Sequence, residues 1–233
     1  MTFPEPLIHG RLVKRYKRFL ADILLDNGNL VTAHCTNSGS MKSCLEEYAE
    51  VFISPSSNPN RKLAYTWEMI RINNSWVGIN TSNPNRIAYE ILEKQWIDEL
   101  PNFKTLRREV KYDDSRFDIY GETDNQKWLF EVKNVTLKEG RFAQFPDAVT
   151  TRGQKHLSTL IKAKADGYHV AMIYIIQRTD VEIFAPAWRI DPVYAKELIK
   201  AFDAGVKLFA VQVDVTPESI EPLRLLPIDL IQK

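Results

Sequence analysis

Near residue 82 the chain changes its hydrophobic period, and a chain that does so must build two different kinds of core. Before that point it reads as short strands between turns. LIHGRLVKRY and RFLADILL are strand-like, and DNGN between Leu25 and Leu30 is a hairpin signal. LVTAHC, YAEVFIS, LAYTWEMIRI and WVGI follow, separated by TNSGS, by the two-proline loop PSSNPNRK and by NNS. Many short strands with such turns predict a small closed β-barrel. From Pro84 onward, Ile87, Ile91, Leu92, Trp96 and Leu100 recur at helical spacing, and Pro84 itself suits an early helix position. TLRREVKY, RFDIYG and KWLFEVKNV are then strand candidates. A second helix lies within DAVTTRGQKHLSTLIKAKADG, with Gly167 as its stop. The almost wholly apolar YHVAMIYII predicts a strand buried on both faces. DPVYAKELIKAFDAG is a third helix, and VKLFAVQVDV and IEPLRLLPI are further strands. The expected organisation is a barrel over residues 1–82 and a mixed α/β domain over 83–233.

An apolar share of 44% is enough for a sizeable core. The net charge of +1 says little, but five cations and no acid fall between Gly10 and Arg18. Two cysteines, Cys35 and Cys44, give no disulfide framework and suit a reducing compartment. With His34 they lack the paired C-x-x-C spacing of a zinc site, so buried or loop roles are expected for them. The N-terminus has no long apolar signal region, and no run approaches the ~18 apolar residues of a membrane span. A cytoplasmic protein without a membrane partner is expected.

The chemistry concentrates in RFDIYGETDNQKWLFEVKN, residues 116–134, where charged residues interrupt two strands. Alternation puts Glu131 and Lys133 on one face, with Val132 toward the core, and a hairpin brings Asp118 alongside Glu131. Two nearby carboxylates repel and raise each other's pKa. A divalent cation reverses that penalty, and Mg²⁺ typically takes one or two protein carboxylates and keeps water or phosphate elsewhere. Such an ion activates water and polarises phosphate, while Lys133 can hold the water or neutralise developing charge. The same pattern also fits a surface hairpin with a cross-strand salt bridge worth ~1 kcal/mol or less. Glu90, on the preceding helix, could add a third acid. Arg152, Gln154 and Lys155 stand near the start of the second helix, where free N–H groups attract phosphate. Asp147 is expected to cap that helix. His156 fits equally a packed helix residue and a proton carrier.

Helix, three strands, helix, strand, with the acids in strands two and three, resembles the core of the PD-(D/E)-x-K nuclease superfamily. HCTNSGSM at 34–41, NTSNPNRIAYEIL at 80–92, EVKYDDSRFDIYG at 109–121, EVKNVTL at 131–137, FPDAVTTRGQKHL at 145–157 and IDPVYAKEL at 190–198 together resemble the sugar fermentation stimulation protein family, in order along nearly the whole chain. Thr36 stands where members often have Pro, and Asp113 where they often have Gly. The resemblance implies an α+β, mixed α/β protein: an N-terminal OB-like barrel, a PD-(D/E)-x-K nuclease-like domain, and DNA binding. It maps the nuclease-like positions onto Asp118, Glu131 and Lys133. In the nuclease reading Asp118 and Glu131 hold the metal, and Glu90 and Gln154 are weaker supporting candidates. The family name describes a physiological effect, and no G-x-x-x-x-G-K-[ST] loop suggests a sugar kinase.

RLVKRYKRF interleaves Arg11, Lys14, Arg15, Lys17 and Arg18 with Tyr16 and Phe19. Cations pair with phosphates and aromatic faces stack on bases, as OB-folds often use them. An ordinary barrel strand with solvated cations has the same pattern. Arg61 and Lys62 add a second basic point, and Arg152 and Lys155 a third. About five phosphate contacts would give a slope of log K against log salt near −4 to −5 on duplex DNA. The leading expectation is a DNA-binding protein, on duplex or single strands, with a Mg²⁺ (or Mn²⁺) dependent nuclease-type site and no small-molecule cofactor. The alternative is a non-catalytic DNA-binding regulator of sugar-metabolism genes on the same scaffold, and RNA is a third candidate ligand. A homodimer is left open.

Overall fold

A computed structural model describes residues 1–58 and 60–231. Pro59, in the predicted two-proline loop, lies outside the described residues. Strands β1 (Ile8–Tyr16), β2 (Leu20–Leu25), β3 (Leu30–His34), β4 (Glu50–Pro55) and β5 (Tyr65–Ile72) form a ring. β1 pairs antiparallel with both β2 and β4. Parallel pairing of Ala33 with Tyr65 and His34 with Thr66 closes the ring between β3 and β5. Closure leaves few free edges, and alternate residues Leu12, Ile23, Ile53, Trp67 and Ile70 fill the interior. Cys35 and Cys44 are buried in the same core as free thiols. β6 (Ser75–Gly78) extends β5 as a hairpin and leads to the second domain.

That domain opens with α1 (Asn83–Glu93), then β7 (Thr105–Tyr112), β8 (Ser115–Glu122) and β9 (Lys127–Val135). α2 (Thr151–Ala165), β12 (His169–Ile176), α3 (Pro192–Asp203), β14 (Lys207–Val215) and β15 (Ile220–Leu225) complete a six-stranded sheet, ordered β15-β14-β12-β9-β8-β7. β9, β12 and β14 are parallel neighbours. α1 packs Ile87, Ile91 and Leu92 on one face against Phe130, Val132, Ile173 and Val211. α2 and α3 cover the other face through Leu157, Leu160, Tyr194 and Leu198. β12 therefore lies between two helical layers, which is why its sequence does not alternate.

A small sheet, β10 (Leu137–Glu139), β11 (Phe142–Phe145) and β13 (Ile183–Pro186), was not foreseen from sequence. Its strands have three or four residues, too few to display a period of two. β11 and β13 pair across the intervening α2 and β12, a contact that no local pattern announces.

The barrel loop 36–44 docks onto the second domain. Ser43 Oγ donates to the Thr136 carbonyl at 3.1 Å and accepts from Lys138 N–H at 3.1 Å. The predicted cap at Asp147 is corrected: Thr150 caps α2, accepting from Gly153 N–H at 3.0 Å. Asp147 instead accepts from Met41 N–H at 3.4 Å, holding the loop. Gly39 makes that approach feasible, since a Cβ there would lie 2.0 Å from Asp147 Oδ2 and 2.6 Å from its Cγ. Gly39→Ala is therefore expected to displace the half-exposed Asp147 carboxylate and its bond to Met41 N–H, at a cost of about 1 kcal/mol, measurable by urea unfolding.

Candidate active site

The site begins where a ladder stops. β8 and β9 pair from Glu122–Lys127 to Ile119–Phe130, one step short of Asp118 and Glu131. On the other side, the pairs Arg108–Ile119 and Val110–Phe117 flank Glu109, whose φ of +58° is left-handed. That conformation costs a non-glycine residue ~1–2 kcal/mol. Phe117 packs in the core under α2 and α3, yet Ile119, two residues on, packs under α1. The alternation of β8 thus breaks at Asp118. The Val132 N–H donates instead to Asp118 Oδ2 at 2.7 Å. Asn85 Nδ2, on α1, donates to Asp118 Oδ1 at 2.8 Å.

On β9 the alternation holds. Val132 faces α1, and Glu131 and Lys133 face α2. Lys133 Nζ donates to Glu131 Oε1 at 2.5 Å, and His156 Nδ1 from α2 contacts the same oxygen. Arg152 Nε donates to His156 Nε2 at 3.4 Å. The Glu131 side chain is 2% exposed, and its Oε2 has no hydrogen-bond partner among the described residues.

The two acids are driven apart. Burial, reinforced by the Glu131 charge, raises the pKa of Asp118, and its hydrogen bonds from Val132 and Asn85 and the Lys133 charge only partly oppose this. Burial also pushes Glu131 upward, but the His156 hydrogen bond and the Lys133 charge outweigh it and hold Glu131 below the usual range. An orphaned buried carboxylate oxygen calls for a partner. Glu131 is held from the α2 side and Asp118 from the α1 side by Asn85, with their charges coupled, so a hard cation shared between them would keep water in its other positions. Among the described residues, no group of three or more His, Cys, Asp or Glu could form an all-protein metal cage.

The other predicted residues are placed as follows. Glu90 is turned to the chain's first residue, 3.0 Å from its ammonium, and to Arg86 and Lys94, so α1 brings Asn85 and not Glu90 to Asp118. Gln154 Nε2 donates to both oxygens of Asp191, at 3.0 and 3.1 Å. Asp191 in turn caps α3 through Tyr194 N–H and accepts from Thr150 N–H, which ties the starts of α2 and α3 together. Lys155 pairs with Asp114 at 2.7 Å. On the barrel, Arg11 donates to the Tyr48 carbonyl, and Arg15 to the carbonyls of Arg18, Asn37 and Gly39. Lys14 lies 3.6 Å from Asp22, and Tyr16 donates to the same acid at 3.1 Å. Arg61 donates to Thr66 Oγ1 at 2.8 Å. Lys17, Arg18 and Lys62 are exposed. Asn85 escaped notice because an amide near a helix start reads as capping chemistry. The i, i+4 pair Arg152–His156 was legible as a helix face, but its target was not.

A closed OB-type barrel feeding a mixed α/β domain defines a two-domain class. The profile described as the SfsA N-terminal OB domain matches residues 13–79, and that described as the sugar fermentation stimulation protein RE domain matches residues 82–219. The chain belongs to the sugar fermentation stimulation protein family. A homolog of that name from Geobacter sulfurreducens is 48% identical over 98% of both chains. Another, from Rhodospirillum rubrum, is 47% identical over 93% of this chain and 94% of its own. The structure described as Pyrococcus furiosus SfsA in complex with Ca²⁺ superposes with a TM-score of 0.89, at 26% identity over 98% of each chain. No helix among the described residues is long and apolar enough to cross a membrane.

Proposed function

We propose that the protein binds DNA and hydrolyses phosphodiester bonds at the Asp118–Glu131–Lys133 cluster, with Mg²⁺ or Mn²⁺ as cofactor. The observation that carries this reading is Glu131 Oε2, a buried acceptor without a donor among the described residues, in a carboxylate whose charge adds to burial in raising the pKa of a second acid, Asp118. A purely structural salt bridge has no use for the second acid. Support also comes from the Pyrococcus furiosus relative, described in complex with Ca²⁺, a hard cation with the same preference for oxygen.

Asp118 and Glu131 would hold the ion. When bound, such an ion polarises a phosphate and lowers the pKa of water. Asn85 and the Val132 N–H fix the Asp118 carboxylate. His156 and Lys133 share Glu131 Oε1, which leaves Oε2 as the oxygen that would hold the ion. Lys133, an ammonium 14% exposed, can release that oxygen to steady the attacking water or the charge developing on phosphate. Arg152, exposed at the head of α2, can meet a flanking phosphate.

One observation favours the regulator reading: Lys133 pairs with Glu131 and offsets its charge. A Mg²⁺ titration separates the two. Purified protein offered single-stranded DNA, duplex DNA and RNA at matched salt is expected to cleave at least one of them with Mg²⁺ or Mn²⁺ and none with a chelator. Binding of DNA that is indifferent to the ion, with no turnover on any substrate, would leave the regulator.

A further inference from the structure

β7 is the outer strand of the six-stranded sheet, paired only with β8 among the described residues. An open edge of this kind is a template for another chain unless something guards or uses it. Its exposed residues include Arg107, Arg108 and Lys111, and among the described residues none of these three is in an ion pair. Their neighbours are different: Lys104 pairs with Asp124, and Arg116 with Glu109. The nearby acids Asp113 and Asp114 are taken by Lys162 and Lys155.

The two guanidiniums are also held in place, one on each face of the strand, Arg108 on the α1 side and Arg107 on the opposite side. Arg107 lies 4.5 Å over the Tyr120 ring, and Arg108 lies 4.4 Å over the Tyr89 ring. A guanidinium stacked on an aromatic ring loses less freedom on gripping a phosphate, and Arg107 is also hydrogen-bonded to the Tyr120 side chain. Tyr89 is one helical turn beyond Asn85 on α1, and Arg108 pairs with Ile119, the residue after Asp118. The stacked arginine therefore stands one strand over and one residue along from the candidate metal ligand. On β1, by contrast, Arg11, Lys14 and Arg15 spend their charge on the barrel's own carbonyls and on Asp22.

We propose that the exposed edge of β7 is the track along which the sugar–phosphate backbone of a bound polynucleotide reaches Asp118, with Arg107, Arg108 and Lys111 as its phosphate contacts. This rests on the nucleic-acid reading above. Charge complementarity selects the occupant. A second copy pairing edge to edge would bring two sets of unpaired cations together, and the left-handed Glu109 interrupts the strand in its middle.

The test is equilibrium binding of a short DNA duplex, by fluorescence anisotropy, over a salt series in chelator. Wild type is compared with Arg107→Gln/Arg108→Gln/Lys111→Gln and with a barrel variant, Lys17→Gln/Arg18→Gln. Each phosphate contact contributes about 0.9 to the slope of log K against log salt, so the triple variant should flatten it by about 2.7. Should the triple variant unfold, each single glutamine variant, expected to lose about 0.9, carries the same test. An unchanged slope overturns the proposal, and self-association of the triple variant alongside it would show that the cations only guard an open strand. Dimerisation of wild type through β7 overturns it in favour of a second copy. Failure of wild type to bind any polynucleotide overturns the nucleic-acid reading itself, a result distinct from binding that ignores β7.

Discussion

Asp118→Ala protein is expected to lose Mg²⁺-dependent cleavage by on the order of 10³-fold or more, while holding DNA within a few-fold of wild type. Two carboxylates are the whole protein contribution to the proposed ion, so losing one removes its charge balance and half of its protein ligands. The proposed phosphate contacts are Arg107, Arg108 and Lys111 on β7, which is why binding should survive. Asp118→Asn separates shape from charge: it keeps an acceptor for Val132 N–H yet should be almost as inactive. The pH dependence follows from the raised pKa of Asp118. Below that value the carboxyl is protonated, and a metal must displace the proton, so metal affinity should rise with pH until Asp118 ionises. In metal-free protein the sign for stability is opposite. A carboxyl whose folded pKa is raised disfavours the fold once pH exceeds its unfolded value, so Asp118→Asn is expected to melt no lower than wild type at neutral pH. Single-turnover cleavage on the best substrate, anisotropy and thermal melting together check these outcomes. Cleavage by Asp118→Ala at the wild-type rate would dismiss the assignment.

Arg178→Ala is expected to destabilise the protein by ~3–5 kcal/mol, the cost of breaking a buried pair from one side. Arg178 is wholly buried and holds Asp180 bidentately, at 2.6 and 2.9 Å. Its Nη1 donates to the Thr136 carbonyl at 2.7 Å and to Ser43 Oγ at 3.2 Å. Ser43 belongs to the barrel loop and Thr136 to the α/β domain, so one guanidinium joins the two cores. Lys138 and Asn73 also reach Asp180. Burial pushes Asp180 upward, but hydrogen bonds from Arg178 and Lys138 outweigh it and hold it down at about 2. A depressed carboxyl stabilises the fold above its unfolded pKa and stops doing so as pH falls through its folded value. Wild type should thus lose this contribution as pH drops from the ordinary 3.8 toward 2, and Arg178→Ala should show a weaker dependence over that window. Urea unfolding at neutral and acidic pH, followed by tryptophan fluorescence and circular dichroism, measures both effects.

Much of the architecture was legible because its signals are local. DNGN announced a turn, and Gly28 there has a φ of +83°. Pro84 stands at the start of α1, and the apolar run 168–176 became the strand between two helical layers. β10, β11 and β13 were not legible, since strands so short gain their meaning only from partners far along the chain. Glu131 and Lys133 on one face followed from strand periodicity alone. Asn85 and His156 did not, because their roles depend on where two helices land on a sheet.

By itself the sequence determined the alternation of elements, the change from barrel to layered domain, and the charged residues set into β8 and β9, since each follows from side-chain period and turn chemistry within a few residues. The tertiary structure alone decided that Asp118 takes the Val132 N–H where the ladder splits, that Asn85 supplants Glu90, and that β1 spends much of its charge on its own barrel. These are outcomes of packing: which donor reaches which acceptor is fixed by how α1, α2 and loop 36–44 settle on the sheet, and no spacing along the chain encodes that distance.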